Sequence, residues 1–111
     1  MVNSIYCEFS SYQLSEQKRE LHVLIHWLLI YKEQNEQQLD SHFEKLMCYI
    51  GSLNKLLFEP PEILKLLVTL QSAWDMSRKE PCDFQLYKTF IFDAHSLVDK
   101  LYKNLVVNSD A

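Results

Sequence analysis

The chain has 111 residues, 48% of them apolar and 23% charged, with a formal net charge of −4. These are ordinary proportions for one globular domain with a single core, and they exclude a largely disordered chain. Two Arg and nine Lys are scattered rather than clustered, which disfavours a nucleic-acid binder, and one Gly with three Pro is too few for a turn-rich β fold.

Residues 1–10 open the chain with Ile5, Cys7 and Phe9 alternating with polar neighbours. With no partner strand evident, an extended N-terminal arm is expected. The segment has neither a basic region nor an apolar run, so it does not read as a signal peptide.

The first helix is expected over about 11–34, capped by Ser11 or Ser15, with Glu16 in its first turn. Its stripe is Leu14, Leu21, Leu24, Ile25, Leu28 and Tyr31, and Val23, Trp27 and Ile30 widen the apolar arc. The apolar run from Leu21 to Tyr31 is 11 residues long, against the roughly 20 needed to span a bilayer. The polar run from Lys32 to Gln38 then suggests a turn near Asn35, although a single long helix through this stretch competes with it.

A second helix over about 36–57 carries Leu39, Phe43, Leu46, Ile50, Leu53 and Leu57, and the stripe keeps phase across Gly51. Glu59-Pro60-Pro61-Glu62 punctuates the chain, because Pro is tolerated in a first helical turn but disrupts an interior. The third helix, about 60–77, has Ile63, Leu67, Leu70 and Trp74 in its stripe with Leu66 beside them. Asp83 then caps a fourth helix, about 83–106, whose stripe Phe84, Tyr87, Ile91, Ala94, Val98, Leu101 and Leu105 holds strict 3-4 spacing. Residues 108–111 read as a frayed tail. The fold expected is therefore all-α: one domain over 1–111, an antiparallel up-down-up-down four-helix bundle with a short N-terminal arm.

No motif specifies a reaction, and the chain reads as a non-enzyme without a cofactor. His22 and His26 stand at i and i+4, a spacing that lets two imidazoles share a metal, but the intervening Val23-Leu24-Ile25 lacks the Glu of a zincin helix. Further ligands would have to come from Glu33, His42, Cys48 or His95. No Glu has a His three residues later, which removes the di-iron bundle pattern. Cys7, Cys48 and Cys82 are odd in number and far apart, so neither a disulfide framework nor a zinc ribbon is indicated, and a reducing, cytoplasmic setting fits.

The stretch His42-Phe43-Glu44-Lys45 resembles the phospho-accepting motif of histidine phosphotransfer domains, which are acidic four-helix bundles with a Lys three residues after the His. The resemblance implies His42 as phosphoacceptor and Lys45 as its companion. It departs at the next position, where Leu46 replaces the small residue, usually Gly, of the family.

The series Glu33, Glu36, Asp40 and Glu44 would line one face if this region were one helix. Such a strip could dock a basic partner, and Tyr49, Phe58, Phe92 and Tyr102 lie off the stripes as candidate contact aromatics. The leading expectation is a small acidic protein-binding module that occludes a partner's surface, as inhibitors, immunity proteins, antitoxins, chaperones and adaptors do. Glu33, Glu36, Asp40, Glu44 and Tyr49 are its contact residues, and homodimerisation is a competing use of the same surplus apolar surface. Phosphotransfer through His42 is the alternative.

Overall fold

The computed structural model describes residues 2–3, 8–9, 11–34, 36–57 and 59–110. Among them the chain forms four α-helices: α1 (Ser11–Gln34), α2 (Glu36–Leu56), α3 (Pro61–Ser77) and α4 (Phe84–Asp110). The N-terminal segment is not a lone arm. Val2–Asn3 (β1) pairs antiparallel with Glu8–Phe9 (β2), Val2 opposite Phe9 and Asn3 opposite Glu8. The partner strand lay within the same ten residues, so a tight local pairing satisfies backbone groups that an arm would leave open. β1 packs beside α4 and β2 beside α1. Ile5 and Cys7 lie outside the described residues.

The helix ends have separate causes. α1 and α2 are two helices that pack on one another, and the expected turn at Asn35 falls outside the described residues. Ser11 opens α1, which puts Ser15 and Glu16 inside the helix. Past α2, Glu59 adopts φ 55° and its N–H reaches the carbonyl of Asn54 at 2.7 Å, which ends the helix in a wide turn. Pro60 sits extended at the N-cap of α3 with Pro61 as first helical residue, where the missing N–H costs nothing. The Asp83 carboxylate accepts from the Leu86 N–H at 3.1 Å, the expected cap of α4. α4 is described as far as Asp110, past the end at about 106 expected from the sequence.

Each helix packs on two others, α1 on α2 and α4, α3 on α2 and α4, in a body of 48 × 20 × 20 Å. The five expected stripe residues of α2 and Leu57 just past its end are buried, as are the six of α4 from Tyr87 onward. In α3 the buried line is Ile63, Leu66, Leu70 and Ala73, and Leu67 and Trp74 are displaced to the rim. In α1, Leu14, Leu21, Ile25 and Leu28 are buried, while Val23 and Trp27 face outward, so the widened arc does not enter the core. The core is wholly apolar among the described residues, apart from the hydroxyls of Tyr87 and Tyr102. Tyr87 donates to the Leu28 carbonyl at 2.8 Å and Tyr102 to Gln17 Oε1 at 3.1 Å, so each ring is enclosed with its polar tip satisfied.

Candidate functional site

Three surfaces carry the candidate residues. The first is the seam between α1 and α4. His22 on α1 meets His95 on α4 with Nδ1 to Nδ1 at 2.7 Å, one ring donating and the other accepting, and the rings stack at 4.9 Å. His22 Nε2–H donates to Asp99 Oδ1 at 2.9 Å, and Lys18 stands 3.5 Å from the same oxygen. Burial pushes the Asp99 carboxyl up, but the hydrogen bond and charge of His22, together with Lys18, outweigh it and hold the group below its ordinary value. Burial, then the neighbouring His22 and His26, lower the affinity of His95 for a proton, against a weaker pull from Asp99. His26 itself is exposed one turn away. The structure thus gives His22 a partner 73 residues distant in sequence, with His26 one turn along the same helix. Among the described residues no group of three His, Cys, Asp or Glu side chains is placed to hold a metal ion.

The second surface is the expected acidic strip. Glu33 lies on α1, whereas Glu36, Asp40 and Glu44 follow one another along the exposed face of α2. Two of those three are engaged. Lys32 Nζ donates to Glu36 Oε1 at 2.6 Å, and Asp40 Oδ1 accepts from Trp74 Nε1–H at 2.7 Å with Arg78 3.8 Å away. Trp74 stacks on buried Phe43 beneath, and the Arg78 guanidinium covers its ring at 4.2 Å. The strip is thereby partly neutralised and built into the α2–α3 packing. Tyr49 is half-buried, its hydroxyl 3.5 Å from Glu20, and burial followed by the Glu20 charge raises its pKa. Of the other off-stripe aromatics, Phe92 is exposed, Tyr102 is buried and Phe58 lies outside the described residues.

His42 is half-buried on α2, with Nε2–H donating to the Leu24 carbonyl at 2.8 Å and Tyr31 edge-on against its ring. Lys45 is exposed on the next turn face. One ring nitrogen is therefore committed to the backbone of α1, and Leu46 is fully enclosed below it.

The third surface, which sequence reasoning did not single out, is a groove of about 590 Å³ between α3 and α4. Leu64, Val68 and Leu97 form its apolar floor, and Lys65, Lys100 and Asp93 stand along its walls. Leu64 is 67% exposed and Val68 59% exposed, well beyond what a helix flank beside a neighbour needs. Leu86 and Phe92 are also exposed, so among the described residues four of the seven large exposed apolar side chains belong to α3 and α4. The signal was present in the sequence as Leu64 and Val68 one turn apart, off the Ile63-Leu66-Leu70 line, but only the placement of α4 makes them a groove.

Compared with protein-family models, with curated proteins and with solved structures, the chain has no significant match. No helix among the described residues is long and apolar enough to cross a membrane.

Proposed function

We propose that this chain is a small protein-binding module, not an enzyme, that works by covering a partner's surface and does so through the α3–α4 groove. The observation that supports this reading is the exposure of Leu64 and Val68 beside Leu97, an apolar floor held between two rigid helices. Inhibitors, immunity proteins, antitoxins and chaperone-type adaptors act in this manner, and a reducing cytoplasm suits the free thiols of Cys48 and Cys82. The helices are read as running up, down, up and down. Gln17 with Tyr102, His22 with His95 and Leu28 with Tyr87 support opposed directions for α1 and α4, as Glu62 with Asn104 supports at one end of α3 and α4.

The acidic strip remains a second contact surface to be tested beside the groove. Affinity capture with the wild-type chain, with Leu64→Asp/Val68→Asp, and with Glu36→Lys/Asp40→Lys/Glu44→Lys separates the two. The expected outcome is that the groove variant loses the captured protein while the strip variant retains it. The opposite pattern would return the contact to α2, and retention by both would remove each surface.

A further inference from the structure

Resting on that reading of the groove and on opposed directions for α3 and α4, we infer that its occupant is a second copy of this chain, bound about a two-fold axis over Leu97. The argument is the order of charge along the groove. Glu62 meets Asn104 at 2.7 Å, which sets the level of α3 against α4. Counting inward from that pair, Lys65 and Lys100 stand at nearly the same level, with Asp93 about two turns, roughly 10 Å, further along. One end of the groove is thus basic and the other acidic, with Leu97 between Asp93 and Lys100.

None of Lys65, Lys100 and Asp93 makes an ion pair within the chain among the described residues. A two-fold axis perpendicular to the groove exchanges its ends. It lays Asp93 of each copy against Lys65 and Lys100 of the other, and packs Val68 and Leu97 of one copy on the same residues of its mate. An isologous contact requires a patch complementary to itself, and a groove of opposite-charged ends around an apolar centre meets that requirement. An unrelated partner would need its own matching order of charge. The second copy carries it already. The patch is small for an obligate dimer, so association in the micromolar range or weaker follows.

The test is sedimentation equilibrium of the full chain from about 1 to 500 μM, a span that covers such an association, with circular dichroism as the check on folding. The variants are Asp93→Lys, the pair Lys65→Asp/Lys100→Asp, and all three together. The groups are at the surface, so the helices are expected to form in each. Wild type should show a monomer–dimer equilibrium, and each partial reversal should weaken it about tenfold or more by placing like charges together. The triple reversal should restore it to within about threefold of wild type, since the same charge order is rebuilt with opposite sign. A monomer throughout the range overturns the inference, as does a dimer indifferent to the reversals, or one weakened by them and not restored by the triple variant. If the chain is monomeric yet captures another protein that Leu64→Asp/Val68→Asp releases, the docking reading stands and only the second copy fails. If that capture is also indifferent to the groove, both fail.

Discussion

Gly51 is the one glycine of the chain, and it lies in mid-helix on α2, where backbone entropy makes it unfavourable. A Cβ built at this position meets nothing within 4 Å, so no close approach explains the residue. Gly51→Ala should therefore raise stability by about 0.5–1 kcal/mol, read as a higher denaturation midpoint with an unchanged slope. The phase of the stripe across Gly51 was legible in the sequence because Ile50 and Leu53 continue the line of Phe43 and Leu46. Trp74 was not legible in the same way. Its spacing suits the core, but its indole N–H has to find an acceptor, and Asp40 supplies one at the surface of α2. Ala73, too small to stand out in a hydropathy pattern, takes the buried place instead.

At the scale of helix pairs, α2 and α4 were the most legible elements, since each alternates one enclosed line with polar neighbours. α1 was the least, because apolar residues occupy more than one face from Leu21 to Tyr31 and periodicity cannot say which of them turns outward. In the α1–α4 seam, His22 and His95 were legible only as members of a wider pool of possible ligands, and Asp99 was not legible at all. His22, His95 and Asp99 come together only once two helices 73 residues apart are set side by side. That seam makes a pH prediction. Burial and the neighbouring imidazoles lower the pKa of His95 from 6.5, so the folded chain holds its proton less tightly than the unfolded chain does. Stability from this group is whole above the ordinary His value and is lost as pH falls from about 7 toward the lowered value. Asp99, also lowered, loses its contribution only further down, as pH falls through the carboxylate range. Urea midpoints at pH 7.5 and 5.5 should thus decline for the wild type. His95→Gln, which keeps a polar side chain without titrating, should flatten that decline, whereas His26→Gln on the exposed side should change it less.

On the whole molecule, the proposed contact surface lies on the exterior. Side chains from all four helices fill the interior, and the hydroxyls of Tyr87 and Tyr102 are tied to α1. The sequence already pointed to the exterior, through apolar residues in excess of four narrow stripes, and of the off-stripe aromatics it named Phe92 is exposed, while Leu64 and Val68 went unnamed. Tyr102 enters the core, and the acidic side chains of α2 are drawn into packing by Lys32, Trp74 and Arg78. Among the described residues, the large apolar side chains left exposed on α3 and α4 are Leu64, Val68, Leu86 and Phe92. Choosing among them needs the relative placement of α3 and α4, and a hydropathy pattern holds no information on that.

Lys32 joins three chain segments at one ammonium. Its side chain is 11% exposed, it closes the last turn of α1, its Nζ binds Glu36 at the start of α2, and it donates at 3.2 Å to the carbonyl of Ser77 at the end of α3. A point charge so placed behaves as a rivet, and its removal is felt where no substitution has been made. Lys32→Met keeps the aliphatic stem and deletes the cation, and it should cost about 1–2 kcal/mol. Amide hydrogen exchange should then quicken at the outset of α2 and at the close of α3 together, although some 40 residues of sequence separate them. Faster exchange at only one of the two would mean that the ends are fastened independently.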